Sequence, residues 1–218
     1  MKALGTGQMR LCAWAGLIGS SFFVAVFVTE GWLRPDYEPL KMYVSALSLG
    51  PRGWIQIANF LILGLCLLTF AWGVANEFRT GKASRSGPVL LAIIAFLLLI
   101  SGPLIMDPTD TPLNRVSVHG TLHGLAGGIV FILMPISCFV FLHRFRVDPN
   151  WQSLRLWTLV LAIVIATASI LLTIASKVPE AHIIFDDWLG LIQRAIIIPF
   201  MVWVFVFALR LLSRSNLG

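Results

Sequence analysis

The chain has 218 residues, of which 58% are hydrophobic and 12% charged, and its mean hydropathy is +0.88. A soluble globular domain carries about 25% charged residues, so this composition excludes a water-facing surface and makes lipid the main solvent. The net charge of +6 is no nucleic-acid signature here, because membrane proteins use Lys and Arg to set their orientation.

A spanning helix needs about 20 apolar residues. Six stretches meet that need: roughly 11–30, 54–76, 87–106, 118–142, 155–176 and 189–212. They predict an all-α, six-helix membrane bundle forming a single domain over residues 1–218. The first stretch follows Lys2 and Arg10 in the manner of a signal peptide. It is longer than a signal core and has no small-x-small cleavage site, so it reads as a retained helix. Gly31 to Pro35 breaks it. Pro39 then opens a segment from Leu40 to Leu47, which predicts a short interfacial helix ending near Gly50-Pro51, since proline is tolerated in a first helical turn. Trp54 starts the second helix at the depth of an aromatic belt.

The loop 77–86 is a small basic turn. Asp107 to Ser117 contains two prolines and no apolar run, which predicts a loop. The fourth helix carries Gly120, Gly124, Gly127 and Gly128, expected to permit close helix packing, and Pro135, expected to disturb one backbone bond. Residues 177–188 form the next loop. Arg194 follows one to two turns inside an apolar stretch, where a charge is costly and needs a partner; Asp107 or Asp110 is the expected one. Cys12, Cys66 and Cys138 all lie in apolar runs without metal-type spacing and read as small buried hydrophobes.

Lys and Arg give the orientation. With the N-terminus inside, ten flank the inner ends (residues 2, 10, 79, 82, 85, 144, 146, 155, 210 and 214) and six the outer (34, 41, 52, 115, 177 and 194). Both termini are therefore expected in the cytoplasm, with the chain in the plasma membrane. Eight of ten carboxylates and three of four histidines then fall outside, so the chargeable chemistry gathers at one face.

Its densest part is Met106 to His123. Asp107, Asp110, Arg115, His119 and His123 fall within 17 residues. His119 and His123 are spaced i, i+4, one turn apart on a helical face. That spacing is compatible with three readings. His123 is a hydrogen-bonding residue of the bundle; or His119, His123, Asp110 and His182 hold a divalent metal; or His123 and Asp110 do acid/base work without metal. Arg194 closes an ion pair, or presents its planar fork to an anionic head group. Ser45, Asn59 and Glu30 are further candidates for contact with a ligand.

The order Tyr37-Glu-Pro, Tyr43-Val-Ser-Ala-Leu, Gly53-Trp, Asn59-Phe, Pro108-Thr-Asp, Gly120-Thr-Leu-His and Gly190-x-x-Gln-Arg resembles the bacterial six-helix membrane family known as domain of unknown function nine-nine-eight. The resemblance covers nearly the whole chain and implies a six-helix bundle, with no established reaction. Ser45, Asn59, Pro108, Asp110, His123 and Arg194 match its pattern; His119 and His182 do not.

Two function classes follow. One is an enzyme acting on a lipid or isoprenoid-like substrate from the outer leaflet, with His123 transferring protons, Asp110 orienting it and Arg194 holding an anionic group. The other is a non-catalytic lipid-binding, sensing or accessory subunit. A transporter is a third, weaker reading, because polar residues near mid-membrane are few (Ser101, Thr167, Ser169). Expected partners are membrane lipid and a small hydrophobic or anionic-headgroup ligand, and no nucleic acid.

Overall fold

A computed structural model describes residues 4–109 and 111–215, with the backbone alone for Leu113. The helices are α1 (Thr6–Leu33), α2 (Gly53–Glu77), α3 (Ser86–Ser101), α4 (Val118–Val147), α5 (Arg155–Lys177), the short α6 (Pro179–Phe185) and α7 (Leu189–Ser215). No strand occurs among the described residues. Helices α1, α2, α4, α5 and α7 are each long and apolar enough to cross a bilayer, and five such helices make this a multi-pass membrane protein. The apolar α3 has 16 residues, a rise of about 24 Å against a hydrocarbon core of about 30 Å.

The six long helices touch in chain order, and α7 closes the ring against α1. Between α1 and α2, small residues meet large ones reciprocally. A Cβ on Gly73 would strike Cys12, one on Gly19 would strike Cys66, and one on Gly16 would strike the Phe70 ring. The three cysteines are free thiols, and two of them fill these glycine notches.

One end of the ring carries the short loops around residues 78–85 and 148–154. Aromatic rings plug it. Phe78 lies 4.9 Å from Trp151 by ring centroid, and Phe141 lies 5.0 Å from Phe207. Arg144 sits over Phe78 at 4.6 Å and pairs with Asp148 at 2.9 Å, while Arg214 pairs with Glu77 at 2.8 Å. These pairs finish the plug with a charged rim.

Helix α4 continues through Pro135. Proline has no N–H, so the carbonyl four residues earlier loses its donor. That carbonyl belongs to Phe131, and the Ser169 hydroxyl of α5 donates to it at 3.0 Å. In hydrocarbon an unpaired carbonyl is expensive, so one α5 serine lets α4 carry its proline.

Three sequence expectations change. The third helix ends at Ser101, not near 106, because Pro103 lacks a donor and the carbonyls of Ser101 and Leu104 turn toward His123. No helix spans Leu40–Leu47; the chain there is a turn followed by a 3₁₀ helix, Val44–Ser48. The carbonyls of residues 39–42 are engaged by α7 and are therefore lost to helix formation. Conversely, the 177–188 loop contains α6, started by Pro179 at its first position.

The α1–α2 notch predicts a contrast between two glycines. Gly19→Leu should lower thermal stability in detergent, on the scale of about 1–3 kcal/mol that overpacking costs. Gly128→Leu, whose Cβ meets nothing within 4 Å, should leave the unfolding temperature nearly unchanged.

Candidate functional site

The long-loop end of the ring is tied by one guanidinium. Arg194 projects from the second turn of α7 and donates to the carbonyls of Pro39, Met42 and Gly190 and to the hydroxyl of Tyr37. The rings of Phe27 and Tyr37 flank it at 5.9 and 5.6 Å. Tyr37 passes its own proton to the Met42 or Tyr43 carbonyl. Burial pushes the Tyr37 phenol above its ordinary range, against the opposing pull of Arg194, so it stays a neutral donor. The first amides of α7 join the same knot: Gly190 N–H donates to Lys41 and Leu191 N–H to Leu40. Gly190 is required there, since a Cβ would collide with the carbonyls of Pro39, Leu40 and Met42. Next to Arg194, Gln193 accepts from the Val44 N–H at 2.7 Å. The segment 37–48 is thereby held across the ring as a roof, and Lys41 clips its edge to Asp186 and Asp187 at 2.8 and 3.0 Å.

Under this roof lies a cavity of about 360 Å³, within the size range of small-molecule sites. Its α4 wall runs from Gly120 to Met134, about 21 Å of helix at 1.5 Å per residue. Phe23, Phe60, Leu98 and Val130 make its sides apolar, Met134 and Met201 line it farther along α4 and α7, and Ser45, Gln193 and His123 are polar points. No described lining residue belongs to α5. Gly124 and Gly127 border the space, and a Cβ on either would meet nothing within 4 Å. The glycines expected to bring helices together instead leave a helix face bare; only Gly120 serves a close approach, to the Asp107 carboxylate.

His123 is 8% exposed. Its Nδ1 faces the carbonyls of Leu104 at 2.6 Å and Ser101 at 3.2 Å. Carbonyls only accept, so Nδ1 carries the proton and Nε2 carries the lone pair in the neutral ring. No described residue bonds to Nε2, and the residue lines the cavity. One nitrogen thus ties α4 to the end of α3, and the other has no partner among the described residues.

The remaining candidates scatter. Ser45 is buried and lines the cavity. Asp110 lies outside the described residues, while Thr109 and Thr111 on either side of it line the mouth. Asp107 accepts from the Ser117 N–H at 2.7 Å, at the start of α4, where the helix dipole favours a carboxylate. Arg194 pairs with no described carboxylate, and its partners among the described residues are three carbonyls and a phenol. Glu30 is buried and holds Arg52 through both oxygens. Asn59 donates to the Phe23 carbonyl at 3.1 Å and to Gln56 at 3.3 Å, and does not line the cavity. The expected metal set does not assemble from its described members. His119 is exposed, His182 stands on α6 beside the Ala175 carbonyl and Asp186, and no three described His, Cys, Asp or Glu side chains converge. Sequence reasoning missed Gln193, Gly124 and Gly127 as lining residues. Gln193 had a signal, its place beside Arg194 at a step of about 100° around α7, which turns it to a different side.

The chain belongs to the family described as protein of unknown function, DUF998, whose model matches residues 17–210. No curated protein and no solved structure matches it.

Two substitutions separate the halves of His123. His123→Ala should destabilise the detergent-solubilised protein by about 1–3 kcal/mol, because the Ser101 and Leu104 carbonyls lose their donor. His123→Asn, whose amide nitrogen can occupy the Nδ1 position, should recover most of the lost unfolding temperature. Equal loss in both variants would contradict the tether.

Proposed function

We propose that this protein binds an amphipathic, lipid-like molecule in the roofed cavity, tail toward Met134 and Met201 and polar end toward His123. The observation that carries this reading is the cavity's form: long along α4, apolar on its sides, and polar at a few points near the roof. Sites for small amphipathic ligands have this makeup. Entry from the bilayer is favoured beside Gly124 and Gly127, which leave the α4 face bare.

The Lys and Arg distribution supports a plasma-membrane protein with both termini cytoplasmic, the long-loop end outward and the roof at the membrane boundary. In that orientation α3 completes a six-helix bundle, and the molecule comes from the outer leaflet. The aromatic plug at the other end argues against a through-path and hence against a transporter.

Acid/base chemistry on the bound molecule is a second reading, favoured by His123 alone. A histidine with one nitrogen fixed and the other presented to a cavity has the form of a general base. Arg194 has no place in this proposal, since it does not line the cavity and its guanidinium holds the roof.

Gly127→Leu fills the cavity from a position with free space and so should fold normally. Mass spectrometry of the protein extracted in native nanodiscs should find an apolar species in near-stoichiometric amount with the wild type and several-fold less with Gly127→Leu. Identical profiles would contradict the cavity reading. Orientation has its own check: alkaline phosphatase fused after Ser215 should be inactive, and an active fusion would reverse the assignment.

A further inference from the structure

We infer that the polar end of the bound molecule is an uncharged hydroxyl group and not a phosphate or carboxylate. This rests on the reading that the cavity holds an amphipathic molecule. The first observation is the absence of Lys and Arg from the described lining. Three cations of the long-loop end are engaged elsewhere. Arg194 is divided among three carbonyls and a phenol, Arg52 grips Glu30, and Lys41 lies between Asp186 and Asp187. An anion placed under the roof would give up water without gaining a counter-charge, which is costly.

The second observation is the hydrogen-bonding character of the polar points. His123, Ser45 and Gln193 are 8%, 8% and 6% exposed, and all line the cavity. Gln193 spends its oxygen on the Val44 N–H, so its NH₂ is what it can offer. His123 spends its N–H on carbonyls, so it offers a lone pair. A hydroxyl can donate to His123 and accept from Gln193 or Ser45. A fully ionised phosphate can only accept, and its oxygens would face the His123 lone pair. The one described carboxylate of the lining, Asp107, is already held at the α4 N-terminus and gives an anion nothing.

The test compares three heads on one tail. Binding of tritiated farnesol to wild-type protein in phosphatidylcholine nanodiscs is competed with farnesol, farnesyl phosphate and farnesylamine at about pH 8, where an ordinary histidine is neutral. Farnesol should compete at least tenfold better than either charged analogue. Ser45→Ala should weaken it about fivefold, the scale of one hydrogen bond, and Gly127→Leu should abolish it. Farnesyl phosphate or farnesylamine competing as well as farnesol, or better, would overturn the uncharged-head inference and leave the cavity reading standing. Absence of saturable binding, or binding indifferent to Gly127→Leu, would overturn the cavity reading itself.

Discussion

The guanidinium of Arg194 joins the two parts of the chain that make the roof. A charge one turn into an apolar helix is tolerated when polar groups meet it. Here the partners are the carbonyls of Pro39, Met42 and Gly190 and the hydroxyl of Tyr37. This arrangement has two consequences. Carbonyls turned toward Arg194 and the α7 amides cannot continue a helix, so the segment stays a turn and a 3₁₀ helix. And a roof pinned to α7 holds Val44 and Ser45 over the ring while the space beneath stays open.

Backbone economy in lipid shapes the rest of the site. The carbonyls at the end of α3 are met by His123, and the one freed by Pro135 is met by Ser169. Each donor comes from a neighbouring helix, so each repair also fixes a helix–helix distance. His123 does this with one nitrogen, and its other has no partner among the described residues. The same side chain is therefore a structural tether and a polar point of the lining. The short-loop end is closed by stacked aromatic rings with paired charges at its edge, which makes the ring a cup with one roofed end.

The helices were legible because apolar runs of about 20 residues have few other uses. Five of the six expected stretches recur as candidate spans, and α3 fell short of its expected end because Pro103 stops it. His123 was legible as a site residue, since a histidine in an apolar helix demands a partner. Its partners were not, because they are carbonyls of another helix and carry no side-chain signature. The described partners of Arg194 were hidden for the same reason: pattern reading offers carboxylates to a cation, and backbone oxygens leave no mark in the sequence. The Gly-x-x-Gln-Arg motif marked a real junction, but which of its polar residues faces the cavity depended on the rotation of α7. The glycines of α4 were visible, and their purpose was not, because a bare helix face and a tight helix contact are written with the same residue. Asp110, the proposed partner of His123, lies outside the described residues, between two that line the mouth.

The most direct test of the central claim is an experimental density map of the protein in lipid nanodiscs, at a resolution that shows side chains. An occupied cup predicts continuous elongated density beneath the 37–48 roof, running along α4 from Met134 and ending within hydrogen-bond reach of His123 Nε2. A cavity collapsed onto itself, or filled only by separate waters with His123 Nε2 bonded to protein, would contradict it.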